Sequence, residues 1–172
     1  YCAVASAQRL FEYYGIPSDM HQLALIAGSD PNAGTNSMAI NRELGSIDHL
    51  FKTRFECLAV AGQRGSGLFE LKDEKYVGDP ITEKKFYQMI QKSVDAGIPL
   101  LWGLTVGQFA EDPPLKMQSS GGHMRMIIGY NEAENRLIFS DSWGAGHEFK
   151  TMDFSDAYKA THGLFSMKPI LR

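Results

Sequence analysis

The stretch Gly122-His123-Met124-Arg125-Met126-Ile127-Ile128-Gly129-Tyr130, followed after a short turn by Arg136-Leu137-Ile138-Phe139-Ser140-Asp141-Ser142-Trp143-Gly144, decides how this chain is read. Both halves have strand length and apolar content, so they form two adjacent β-strands. The first opens on a histidine and the second closes on an aspartate. A hairpin therefore sets an imidazole beside a carboxylate. The part missing from a thiol-based hydrolytic centre is the sulfur, and Cys2 is the candidate. It stands just before an alanine-rich segment with helical spacing, where unpaired backbone N–H groups favour a thiolate.

Working outward, Val4, Ala7, Phe11 and Tyr14 recur at helical spacing, and Gly15 stands where a left-handed cap is wanted. Pro17 ends the connection and Ser18 can cap a second short helix carrying Met20, Leu23, Ala24 and Ala27, which Gly28 stops. Gly34-Thr35-Asn36-Ser37 reads as a turn into a third helix with Met38, Ile40, Leu44 and Ile47 on its buried side. Phe51 to Val60 is a strand, Gly62 to Pro80 a loop or weak hairpin, and Thr82 opens a helix bearing Phe86, Met89, Ile90 and Val94 that Gly97 closes. Ile98 to Val106 is an apolar run suited to a strand covered on both faces. Gly107 to Gly122 is a long loop ahead of His123, placed to form a rim. After the hairpin come a short strand at Glu148 to Met152, a helical turn capped by Asp153, and a last strand at Gly163 to Lys168. Helices first and antiparallel strands afterwards make an α+β arrangement.

At 172 residues the chain suits a single domain with a sizeable core. Hydrophobic residues at 44% and charged residues at 22% exclude a disordered or fibrous chain. The net charge of −3, with no basic block, disfavours nucleic acid as a partner. No apolar run approaches a membrane span. The sequence begins with Tyr rather than Met, so we expect a processed form, the C-terminal part, or a cut piece of a longer precursor. Cys2 and Cys57 are too few for a disulfide framework.

A cysteine hydrolase needs a thiolate, a base held close to it, and a group that fixes the base's tautomer and orientation. Cys2, His123 and Asp141 meet these needs in turn, with the Cys2 backbone N–H offering half of an oxyanion hole. Taken singly each has a plainer reading: a buried small hydrophobe, a strand-edge histidine, a turn residue. Their joint placement outweighs those readings. Cys57, among apolar strand neighbours, reads as structural. His21, His49, His147 and His162 lack metal-site spacing and take surface roles, with His147 close enough to Asp141 to line the cleft. No metal and no cofactor is called for. Gly62, Gly65 and Gly67 precede no clear helix and are not a phosphate loop.

These blocks resemble the papain-like cysteine peptidases, and more closely their bacterial C39-like branch. The likeness rests on Tyr1-Cys2-Ala3-Val4-Ala5-Ser6, Gly34-Thr35 before a helix, Gly97-Ile98-Pro99 before a strand, the His123 strand, and Asp141-Ser142-Trp143-Gly144. The resemblance implies a papain-like fold with N-terminal helices packed on an antiparallel sheet. It further implies Cys2 as nucleophile, His123 as general base and acid, Asp141 as orienting residue, and Trp143 shielding that pair from water. Trp143 is read as a core anchor besides. The family's oxyanion-hole Gln stands ahead of the nucleophile and so ahead of Tyr1; Gln8, downstream, cannot replace it. Ala3 stands where many relatives carry Gly. Arg125 replaces the family's aliphatic residue on the His123 face, where it either meets an acidic substrate group or reaches solvent past the sheet edge.

The expected activity is hydrolysis of a peptide or amide bond through a thioester, on a peptide or protein substrate. Related bacterial peptidases imply an exported location. One rival is an acyltransferase or transglutaminase-like enzyme that passes the same thioester to an amine; another is a papain-like binding module without catalysis. An N-terminal-nucleophile hydrolase would need Tyr1 removed.

Overall fold

The computed structural model describes residues 2–29, 42, 45–46, 48–72, 75–116 and 120–170. Helix α1 (Cys2–Tyr13) buries Ala3, Val4, Ala7, Leu10 and Phe11 along one face. Gly15 ends it at φ 68°, where a side chain would be strained. Helix α2 (Met20–Ile26) is capped by Asp19, whose carboxylate accepts from the His21 and Gln22 N–H groups, and not by Ser18 as the sequence suggested. The buried positions expected of the third helix, Met38, Ile40, Leu44 and Ile47, lie outside the described residues. A short helix not foreseen, α3 (Asp48–Phe51), precedes the first strand. Its Asp48 carboxylate accepts from the Thr53 hydroxyl and the Phe55 N–H, tying that strand's start.

Among the described residues nine antiparallel strands form one sheet: β1 (Thr53–Ala61), β2 (Leu68–Lys72), β3 (Lys75–Val77), β4 (Leu100–Val106), β5 (Glu111–Asp112), β6 (Gly121–Asn131), β7 (Arg136–Ser140), β8 (Lys150–Asp153) and β9 (Thr161–Pro169), ordered β3-β2-β1-β9-β4-β6-β7-β8-β5. The Gly62 to Pro80 stretch is a hairpin, with Leu71 opposite Tyr76. The loop before β6 holds a two-residue strand, β5, that extends the sheet edge by pairing with β8.

Helix α4 (Glu83–Asp95) starts at the Thr82 cap and stops before Gly97, and α5 (Phe154–Ala160) starts at the Asp153 cap, both as the sequence indicates. Side chains alternate across the sheet, so each face builds its own core. One face gathers Leu100, Trp102, Leu104, Ile127, Leu137 and Phe139 with Phe86 and Ile90 of α4 and Phe154 of α5. The other gathers Leu101, Met124, Met126, Phe165 and Met167 under α1 and α2. β4 contributes to both, which is why it reads as an unbroken apolar run. Among the described residues no helix is long and apolar enough to cross a membrane.

Candidate active site

Helix α1 carries three polar side chains at i, i+4 and i+7, namely Cys2, Ser6 and Arg9, which places them on one face. All three reach the hairpin strands. Ser6 is fully buried and donates to the Met124 carbonyl at 3.1 Å. Arg9 donates to the Asp141 carbonyl at 2.8 Å and to the Ser140 hydroxyl. The Cys2 thiol faces His123 and the Met124 backbone, and both lower its pKa. The cysteine thus meets the strand that carries the histidine. α1 is pinned there one and two turns further on.

His123 is 7% exposed, and its Nε2 lies 2.8 Å from Asp141 Oδ1. With Nε2 taken, Nδ1 is the ring nitrogen left for the Cys2 thiol. Asp141 is engaged at every polar group. Oδ1 meets His123, Oδ2 accepts from Arg125 Nε at 2.6 Å, its carbonyl accepts from Arg9, and its N–H donates to the His147 carbonyl at 2.9 Å.

The electrostatics follow from these contacts. Burial pushes the Cys2 thiol up, but the hydrogen bond and charge of His123, helped by Met124, outweigh it and hold the thiol below its ordinary value. Burial pulls the His123 imidazolium down, and its bonds to Asp141 and Cys2 more than reverse that, so it holds its proton above the ordinary imidazole range. Asp141 also overcomes burial: His123 and Arg125 keep its carboxyl below the usual carboxylate range. Thiol and imidazole shift toward each other, the direction that favours a thiolate–imidazolium pair.

Arg125 lies where neither sequence reading put it. It is fully buried rather than reaching solvent or facing open substrate space. Besides Asp141 it grips Glu111 with a two-pronged contact, Nη1 to Oε2 at 2.8 Å and Nη2 to Oε1 at 3.1 Å. Lys150 Nζ in turn stands 2.6 Å from Glu111 Oε1 as an ion pair, without the alignment of a hydrogen bond. The guanidinium carbon lies 4.6 Å from the Phe139 ring centre and 5.8 Å from that of Trp143.

Trp143 is no core anchor, being 46% exposed. It stacks on His123 at 4.2 Å between ring centres with planes 27° apart. His147 meets Trp143 edge-on at 5.8 Å, and its Nδ1 is buried without a hydrogen-bond partner among the described residues. His21 and His49 are exposed, whereas His162 is half-buried in β9 with its ring against Gly103. Cys57 is a free thiol in β1 that burial pushes up to about 12. No group of three metal-ligating side chains occurs among the described residues.

The sequence reading missed Ser6, Arg9, Glu111 and Lys150. The first two were legible as a polar stripe on an apolar helix. Glu111 and Lys150 carry no local signal, because they meet only through the β5–β8 pairing.

No curated protein matches the chain. Several solved structures share its fold, among them two peptidase structures. The peptidase domain of Streptococcus ComA, a bifunctional ABC transporter involved in quorum sensing, superposes with a TM-score of 0.55 at 14% identity, covering 98% of this chain and 90% of that one. A protein described as a C39-like peptidase from Bacillus anthracis gives 0.57 at 17% identity, covering 97% and 88%. Residues 1–165 match the peptidase C39-like family, and the chain belongs to that family.

Proposed function

We propose that this chain is a papain-like cysteine peptidase domain in which Cys2, His123 and Asp141 act as nucleophile, base and orienting carboxylate. The observation that carries the reading is the buried His123, which bonds Asp141 through Nε2 and whose proton affinity is raised by Asp141 and the Cys2 thiol together. In the reaction, the Cys2 thiolate adds to the carbonyl carbon of a peptide or amide substrate. The N–H groups at the start of α1 support the charge that develops on the carbonyl oxygen. The imidazolium gives its proton to the departing amine, leaving a thioester on Cys2. Neutral His123 then takes a proton from water, hydroxide attacks the thioester, and the acid departs as the thiol is restored. Asp141 holds the ring throughout, and Trp143 keeps water off the His123–Asp141 bond.

Alkylation of Cys2 by a small haloacetamide across pH tests this, with His123→Ala as control and Cys57→Ser as background. Fast labelling well below the ordinary thiol value of about 8.5, lost in His123→Ala, is the expected result. An ordinary thiol titration indifferent to His123 refutes the proposal.

A further inference from the structure

The buried charges behind Asp141 alternate in sign: carboxylate, Arg125 guanidinium, Glu111 carboxylate, Lys150 ammonium. Each stands on a different segment, namely the residue after β7, then β6, β5 and β8. Taking such groups out of water is costly, and well-packed apolar residues often serve stability as well or better. A row of three ion pairs with Arg125, Glu111 and Lys150 side chains at 0%, 2% and 1% exposure therefore asks for a purpose beyond holding the sheet.

Its end supplies one. Arg125 and His123 lie two residues apart on β6 and project from the same face. Their nitrogens take the two oxygens of one carboxylate, Nε on Oδ2 at 2.6 Å and Nε2 on Oδ1 at 2.8 Å. A carboxylate held at both oxygens cannot turn about its own axis, so the imidazole bonded to it keeps one orientation. Resting on the assignment of Cys2 and His123 above, we propose that Arg125 is a positioning residue: it locks Asp141 against His123 and is itself anchored by Glu111 and Lys150.

The fork geometry matters as well as the charge. Arg125 serves Asp141 through Nε and Glu111 through both Nη atoms, a division that lysine, with one nitrogen, cannot reproduce. Lys150 keeps Glu111 from turning away. Other charged or titratable groups that face Asp141 are Arg9 from α1, through the backbone carbonyl, and His147 from the following loop, which accepts the Asp141 N–H on its own backbone carbonyl.

The test is the pH profile of Cys2 alkylation by iodoacetamide in the folded full chain, with melting temperature measured alongside. In Arg125→Met the carboxylate is freed on one side, His123 loses its fixed orientation, and the profile moves alkaline by about one pH unit or more, toward that of an ordinary thiol. Arg125→Lys falls between Met and the parent. Should Arg125→Met fail to fold, Arg125→Met with Glu111→Leu and Lys150→Met removes the three charges behind Asp141 together, so that neither Glu111 nor Lys150 is left unpaired, and the same alkaline shift is expected. A folded Met or triple variant with a lower melting temperature but an unmoved profile overturns the inference, because a purely structural residue gives that result, and leaves the peptidase reading standing. A parent profile that is already ordinary and indifferent to His123→Ala overturns both.

Discussion

Replacing Arg9 by Met separates the stability of helix α1 from its aim. Arg9 donates to the Asp141 carbonyl at 2.8 Å and to the Ser140 hydroxyl, and Ser140 and Asp141 are both 2% exposed. Hydrogen bonds from a charged donor contribute about 1.5–3 kcal/mol each when buried, so two half-buried ones sum to roughly 2–3 kcal/mol. For a domain of this size that lowers the melting temperature by about 5–10 °C. The functional effect follows from a lever. Ser6 stays bonded to Met124 and acts as the pivot. At 1.5 Å rise per residue, Cys2 lies about 6 Å to one side of Ser6 and Arg9 about 4.5 Å to the other. Loosening Arg9 by ~0.5 Å thus swings Cys2 by ~0.7 Å, limited by Leu10 and Phe11 in the core. A misplacement of that order costs roughly 10- to 100-fold in rate. Circular dichroism gives the melting temperature, and acylation of Cys2 by a nitrophenyl ester gives the rate. If the melting temperature falls as calculated while acylation is untouched, core packing alone aims the cysteine and the lever is wrong.

Glu111→Gln leaves Arg125 and Lys150 without their shared anion, and breaking one partner of a buried pair costs about 3–5 kcal/mol. Urea denaturation should show that loss; a change below 1 kcal/mol would mean that water reaches the row. Acylation of Cys2 should be bell-shaped in pH. It rises as the thiol ionises, acid of an ordinary cysteine because His123 outweighs burial, and falls as the imidazolium deprotonates, alkaline of an ordinary histidine because Asp141 and Cys2 outweigh burial. A single rising limb near the ordinary thiol value contradicts those directions. Brief haloacetamide treatment near neutrality should add one label per chain, at Cys2, since burial pushes Cys57 up to about 12; equal labelling of both by mass spectrometry would refute this. Thr82→Ala removes the hydrogen bond to the Lys85 N–H and should cost about 1 kcal/mol of stability. It should leave Cys2 reactivity unchanged, and any change would couple α4 to the site.

Local grammar carried much of this architecture. Helix periods, the Thr82 and Asp153 caps, the Gly15 and Gly97 stops and the apolar run of β4 each depend on neighbours within a few residues, so each could be read without the fold. Ser18 and Asp19 show the limit of that grammar. Both can cap, and the choice went to the carboxylate whose position lets it accept two N–H groups. Trp143 misled for a different reason. Aromatic bulk suggests burial, but Gly144 and Gly146 at φ 88° and 85° turn the chain outside the sheet, where the indole finds His123 rather than the core. The strand face alone does not place Arg125. Its partner Glu111 sits in a two-residue strand within a segment whose sequence gives only loop signals, and Lys150 pairs with it from across the sheet edge.

The meeting of His123 with Asp141 depends on a single irregularity between them. Near the turn, β6 and β7 pair Tyr130 with Leu137 and Gly129 with Ile138, while beyond a bulge the pairs are Ile127 with Phe139 and Met126 with Ser140. Cross-strand partners share a face of the sheet. Without the bulge, the register set at the turn would put Met126 opposite Asp141, so the carboxylate would point with Met124 and Met126 into the core beneath α1. One extra residue on β6 shifts the register by one, and Asp141 follows Ser140 to lie across from Arg125, on the face that also carries His123. The hairpin motif alone therefore explains why an imidazole and a carboxylate are near each other in the chain. The bulge at Ile128 explains why they meet, and why the same step delivers Asp141 to Arg125 and the charges behind it.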